Sequence, residues 1–255
     1  KLVPATVMST VHRQAGVLKT NSVSILNGQL APTATDDQSR WVVVNHYRDA
    51  NTIKHWLRDL ILTDIPSQYG FDPVHDVQVI TPEHRGPLGT RSLNQMMQYL
   101  LIPEAREGDT SNGSKGRLLP GDKIIQTKND YDMGVMNGTI GFVREVVQGG
   151  LVVDFEGKGG VEVDWSQAKS IDLAYALTAH KAQGSEFPCA VVLCHKSHFF
   201  ADRNWLYTAA TRAAHTCVLV GDNYGLRRAV GQVRNSQRRT WLSLWASRAQ
   251  QENVT

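Results

Sequence analysis

DKIIQTKNDYDMGVMNGTIGFVREVVQGGLVVDFEGKGGVEVDW, residues 122–165, holds four short strand-like runs, DKIIQT, GTIGFVREVV, LVVDF and VEVDW. Asn-Gly, Gly-Gly and EGKGG turns separate them, and closely spaced strands with no helix between them predict a small β-barrel from Gly121 to about Ile171. The flanks carry a different pattern. Before the barrel, GVLKTNSVSILNG has helical apolar spacing with a stop at Asn27-Gly28, WVVVN is a β-branched run, and DANTIKHWLRDLIL starts at an Asp49 cap. VQVI then reads as a buried strand leading through a Gly/Pro-rich loop into a helix. After the barrel come AYALTAHKAQGSE, the strand CAVVLC, the helix RNWLYTAATRAA, the strand TCVLVG and an amphipathic RRTWLSLWASRAQ. Strands alternating with helices on both sides predict an α/β domain with a mainly parallel sheet, into which the barrel is inserted.

A chain of 255 residues is long enough for one medium domain carrying a smaller one. Its 41% hydrophobic and 20% charged residues suit a soluble protein, and no apolar run approaches a membrane span. The chain opens at Lys1 with no charged-then-apolar leader, which suggests a piece of something longer. Cys189, Cys194 and Cys217 lie in apolar runs without CxxC spacing, so they are expected as buried thiols in a reducing, cytoplasmic compartment. No spacing matches a metal site. A net charge of +3 names no partner, but Arg227, Arg228, Arg234, Arg238, Arg239 and Arg248 follow Asp222 against the single acid Glu252. Such a tail serves as phosphate-binding surface or as a solvated helix face.

Four stretches could carry chemistry. In NWLYTAATRAAHTCVLVGD, Leu206, Ala209, Ala210 and Ala213 form a small-residue face, while Asn204, Thr208 and Arg212 form a polar stripe. Arg212 is therefore expected near the C-terminal end of a packed helix, either to contact phosphate in bidentate fashion or to interact with the helix terminus. YALTAHKAQGSEF crowds Thr178, His180, Lys181 and Gln183 ahead of Gly184, a set suited to phosphodiester oxygens or, more plainly, a capped turn. STVHRQ puts Arg13 and Gln14 before a helical segment. VITPEHRGPLGTRSLNQMMQ places Thr81, His84, Arg85 and Arg91 between a strand end and a helix start, where open sheets bind anions. Tyr131, Phe142 and Trp165 are expected in the barrel core, with base stacking as the alternative.

Taken in order, the four stretches resemble the C-terminal half of a superfamily 1 DNA helicase of the RecD type, a class that includes the helicase parts of conjugative relaxases. STVHRQ resembles motif IV, VQVITPEHRGPLGTRSLNQMMQ the segment after it, YALTAHKAQGSEF motif V and LYTAATRA motif VI. LPGDKIIQTKNDYDMGVMNGTIGFV is similar to the opening of the SH3-like barrel that these helicases insert. The resemblance implies a RecA-like parallel sheet of the P-loop NTPase type, in segments 1–117 and 173–255, with the barrel at 118–172.

It further implies that Arg212 and Arg13 face the γ-phosphate of ATP bound with Mg²⁺, with Gln14, Gly184 and Glu186 also at the nucleotide. Thr178, His180, Lys181, Gln183, Thr81, His84, Arg85 and Arg91 would serve single-stranded DNA. Travel from 5′ to 3′, and recombination or repair subunits as partners, are implied in the same way. No GxxxxGK[ST] phosphate loop occurs in the chain, so hydrolysis is expected to need an N-terminal RecA-like domain of the same parent. The rival readings are a binding module for single strands without enzymatic activity, and a stand-alone Rossmann-like enzyme, which the lack of GxGxxG disfavours.

Overall fold

The computed structural model describes residues 14–106 and 118–234, together with Trp241 and Trp245. Apart from Trp241 and Trp245, the RRTWLSLWASRAQ stretch lies outside the described residues, as does most of the polar EAREGDTSNGSKGR stretch.

The sequence folds into two sheets. In chain order the main elements are α1 (Gly16–Leu26), β1 (Ala34–Thr35), β2 (Arg40–Val44), α2 (Ala50–Asp59), β3 (Val77–Ile80) and α3 (Thr90–Leu101). The strands β4 (Lys123–Gln126), β5 (Ile140–Val147), β6 (Gly150–Phe155), β7 (Lys158–Asp164) and β8 (Ile171–Leu173) follow. The chain then forms β9 (Ala176–Leu177), β10 (Phe187–Cys194), α4 (Arg203–Ala210), β11 (Ala213–Gly221) and α5 (Asn223–Gly231).

The larger sheet has the order β1-β2-β11-β10-β3-β9, parallel except for the antiparallel edge strand β1. Its central strands are mainly apolar because both faces are covered. On β10, Ala190, Val192 and Cys194 pack with Leu18 and Ile25 of α1, Leu206 and Ala209 of α4 and Leu226 of α5. The alternating Cys189, Val191 and Leu193 pack the other way, against Ile53 and Leu57 of α2 and Leu93 and Met97 of α3. Helix α2 continues as a π-helical segment, Leu60–Tyr69, past the end of the DANTIKHWLRDLIL run, and Gly70 in the left-handed region at φ 70° ends it. Helices α2, α4 and α5 begin at Asp49, Asp202 and Asp222, whose carboxylates accept from the backbone N–H groups of Thr52, Trp205 and Gly225. Each such cap stabilises its helix by about 1 kcal/mol.

The smaller sheet is antiparallel, in the order β7-β6-β5-β4-β8. It encloses Ile124, Val143, Leu151, Val153, Phe155, Val163 and Ile171. The fifth strand, β8, was not among the four strand-like runs, and Lys158–Gly160 of the expected EGKGG turn belong to β7. Two aromatic expectations also fail. Tyr131 and Trp165 are 77% and 48% exposed, because the core is filled by aliphatic residues, Met133 and Phe155. Phe142 is half-buried and lies against the His75 ring, 4.5 Å between centroids, where the two sheets meet.

Candidate functional site

Five strands of the larger sheet run parallel, so each of its two edges gathers one kind of strand end. At the amino edge, Arg212 sits between α4 and β11. It is not on the helix as expected: the Arg212 N–H reaches the Ala209 carbonyl at 3.1 Å, and pairing of Phe187 with Ala213 then draws the chain into β11. Its Nε donates to the Thr208 carbonyl at 3.1 Å, Nη1 to the Ser185 carbonyl at 3.0 Å and Nη2 to Thr211 Oγ1 at 3.2 Å. The backbone carbonyl of Arg212 accepts from Phe187 N at 2.9 Å. The helix-terminus reading of the charge is thus present through Thr208, and a second donor reaches across to the 178–186 segment.

Gln14 joins this cluster from far away in sequence. Its Nε2 donates to the carbonyls that bracket Arg212, Ala210 at 3.2 Å and Ala213 at 3.0 Å. Arg13 lies outside the described residues. Gly184 has φ 99°, a conformation glycine adopts without strain, and it turns the chain so that Glu186 is exposed beside Arg212's partner Ser185. Arg212 itself is only 8% exposed, and Gln14 5%.

At the carboxyl edge, Thr178, His180, Lys181 and Gln183 line a cavity of about 490 Å³ with His84 and Asn137. Lys181 Nζ donates to Asn137 Oδ1 at 3.0 Å, bringing the β4–β5 loop of the smaller sheet against the segment after β9. His84 Nδ1 is 3.1 Å from Thr90 Oγ1. Arg85 and Arg91 are exposed but do not line this cavity. Thr81 is a correction: it is fully buried and its hydroxyl donates to the Leu88 carbonyl at 2.7 Å, so it shapes the loop and cannot touch a ligand. Asn137 and Gly138 were read only as a turn, since nothing local signals that the turn meets Lys181.

A buried polar joint lies where β4 meets the starts of β3 and β9. Asp122 accepts from Tyr175 Oη at 2.8 Å, Gln98 Nε2 at 2.6 Å and Leu119 N at 2.7 Å. Burial outweighs these bonds and pushes its carboxyl up to about 6. Burial and the neighbouring carboxylate raise the Tyr175 hydroxyl as well. Lys123 Nζ, 1% exposed as a residue, donates to the Val77 carbonyl at 3.0 Å and stands 5.1 Å from the Phe187 ring centroid. Burial lowers it to about 8, partly offset by Glu156, Asp76 and Asp72.

The described residues thus form a parallel α/β sheet with Arg212 and its partners at one edge and a polar cavity at the other, joined to a smaller antiparallel sheet. Residues 173–220 match the family described as UvrD-like helicase C-terminal domain, and residues 93–155 match the ATP-dependent RecD-like DNA helicase SH3 domain. Together these matches support a C-terminal fragment of a RecD-type helicase. It is 43% identical over 138 residues to the ATP-dependent RecD2 DNA helicase of Deinococcus radiodurans, covering 54% of this chain and 19% of that protein. It is 30% identical over 151 residues to the RecBCD enzyme subunit RecD of Mycobacterium tuberculosis, covering 58% of this chain and 25% of that subunit. The chain therefore spans about a fifth to a quarter of the length of these curated relatives. Among solved structures it is similar to the Pif1 helicase from Candida albicans, with a TM-score of 0.49 and 17% identity over 89% of this chain and 58% of that one.

Proposed function

We propose that this chain supplies the second motor domain of an ATP-dependent DNA helicase, residues 118–172 being an inserted barrel, and that it acts with an N-terminal RecA-like domain of the same parent. One observation carries the reading: residues 178–186 run from the cavity at the carboxyl edge to the Arg212 cluster at the amino edge. A single continuous segment then contacts the single strand with His180, Lys181 and Gln183 and abuts Arg212 through Ser185.

The residues at the amino edge fit one side of a nucleotide. Arg212 and the exposed Glu186 offer a guanidinium for phosphate and a carboxylate for a sugar hydroxyl, while the chain holds no phosphate loop. ATP with Mg²⁺, bound mainly by the N-terminal domain, supplies the hydrolysable phosphoanhydride. Arg212 stabilises charge developing on the transferring phosphoryl group, and Gln14 fixes the carbonyls on either side of it. Closure of the two domains completes the site and opening releases it, so that the grip of Lys181 and its neighbours on the strand alternates with nucleotide state.

The test replaces Arg212 in the full-length protein. Arg212→Lys and Arg212→Ala are expected to lower DNA-stimulated ATP hydrolysis about a thousandfold, the scale of an arginine finger, while single-strand affinity stays within about twofold because the distant contacts are independent. Thermal unfolding separates this loss from misfolding. Normal turnover in a folded Arg212→Lys protein refutes the assignment and favours a module that only binds DNA.

A further inference from the structure

A second feature of the carboxyl edge lies on the other side of the sheet's centre, beyond the cavity at Lys181. The loop after β10 exposes Phe199 and Phe200, at 67% and 70%, and the first turn of α5 exposes Tyr224, at 64%. Large apolar rings left this open usually mark a contact. Each is interleaved with a guanidinium: Arg228 stands 5.2 Å from the Phe199 centroid and 5.6 Å from that of Tyr224, and Arg234 5.9 Å from that of Phe200. These arginines also hold the loop's backbone. Arg228 donates to the Lys196 and His198 carbonyls at 3.0 and 2.8 Å, and Arg234 to that of Phe199. The rings are therefore displayed on a fixed loop.

Beside them is a cavity of about 710 Å³ lined by His46, Arg48, Lys196, Asp222, Tyr224 and Arg227, among others. Asp222 is 5% exposed and its carboxylate is occupied by the N–H groups of Lys196, at 2.6 Å, and Gly225. The accessible charge of this cavity is thus positive. The Phe199 backbone lies near Glu83, the neighbour of His84, which lines the cavity at Lys181.

We propose that Phe199, Phe200 and Tyr224, with Lys196, Arg227 and Arg228, form a second single-strand-binding subsite that extends the nucleic-acid track along the carboxyl edge. It rests on the DNA-binding reading above. A single strand alternates flat bases with phosphates, the pattern that rings alternating with cations match, and stacking on aromatics tolerates any base. A peptide partner would need an apolar groove or an open strand edge, neither of which these residues form.

The 255-residue chain is titrated with fluorescein-labelled oligothymidylate of about sixteen nucleotides, enough to cover more than one subsite, across a salt series. The double variant Phe199→Ala/Phe200→Ala is expected to bind about tenfold more weakly, with an unchanged salt slope because the rings carry no charge. Phe199→Tyr/Phe200→Tyr is expected to restore affinity. Lys181→Ala weakens binding with a shallower slope, since a phosphate contact is lost. If Lys181→Ala weakens binding but the alanine pair leaves affinity unchanged, this subsite is overturned while the DNA-binding reading stands. If the unmutated chain binds no oligothymidylate, both fall. If the alanine pair binds DNA normally and loses only binding to polyglutamate, the surface serves a protein and the proposal is overturned.

Discussion

Lys123→Met is expected to stabilise the protein near neutral pH and to flatten its response to alkali. The ammonium group is buried between the two sheets, with the Val77 carbonyl and the Phe187 ring as close partners. They do not replace its lost hydration, so its pKa falls from 10.5 to about 8. At about 1.4 kcal/mol per unit, keeping the charge buried at pH 7 costs about 3 kcal/mol relative to the neutral amine. Met fills a similar volume without that cost and forgoes one hydrogen bond, worth about 1 kcal/mol. The net gain at pH 7 is about 2 kcal/mol, or about 4–8 °C in Tm for a chain of this size.

The sign with pH follows from proton counts. Between about pH 8 and 10.5 the folded state binds fewer protons at Lys123 than the unfolded state, so the unmutated protein gains about 3 kcal/mol as pH rises through that window. The Met variant lacks this rise. Urea unfolding from pH 6 to 11 measures both curves. A variant less stable than the unmutated protein at pH 7, or one with the same alkaline rise, refutes the reasoning and makes the buried ammonium a net stabiliser.

Asp122 has the opposite slope: its folded pKa lies above the ordinary 3.8 at about 6, so stability falls as pH rises through that interval, by about 3 kcal/mol, and Asp122→Asn is expected to remove this slope in the same unfolding series. Tyr175→Phe deletes the 2.8 Å donor to Asp122 and is expected to cost about 1–3 kcal/mol at pH 7, read from the urea midpoint. Burial pushes the Cys189 and Cys194 thiols up to about 12 and raises Cys217 as well, so a thiol reagent at pH 8 should label the three cysteines only after denaturant is added, with prompt labelling of the native protein contradicting this. Lys181→Ala should lower the slope of log K against log salt by about 0.7 for single-stranded DNA, and an unchanged slope removes Lys181 from the contacts.

What could be read from sequence follows the range of the forces involved. Turns are local, so Asn-Gly and Gly-Gly marked the hairpins of the smaller sheet, and Asp49 marked the start of α2. Strand β8 escaped because its three residues form a strand only by pairing with β4. Helix α4 was extended too far because Thr211 and Arg212 tolerate helix; long-range pairing of Ala213 with Phe187 overrides that propensity. Arg212, Gly184, Glu186, His180 and Lys181 could be singled out because their types cluster in short segments. Their meeting with Gln14 and Asn137 depends on topology and left no local trace. Lys123, in a strand of ordinary appearance, gave no hint that its charge would be buried.

The proposed coupling of the two edges would run through residues 178–186. Ala179 and Ala182, each at most 1% exposed, anchor the 178–186 segment in the core, while His180, Gln183 and Glu186 are exposed. Backbone bonds tie it into successive turns, Ala182 N to Thr178 O at 3.0 Å and Ser185 N to Ala182 O at 3.2 Å. The Ser185 carbonyl then accepts from Arg212. The interior is close-packed and yields little, so a displacement imposed at Lys181 is passed to Ser185 more readily than it is absorbed. Because the smaller sheet reaches Lys181 through Asn137, it bears on the same segment, and under the proposed coupling a change in how it seats on the larger sheet would alter both the cavity and the support of Arg212.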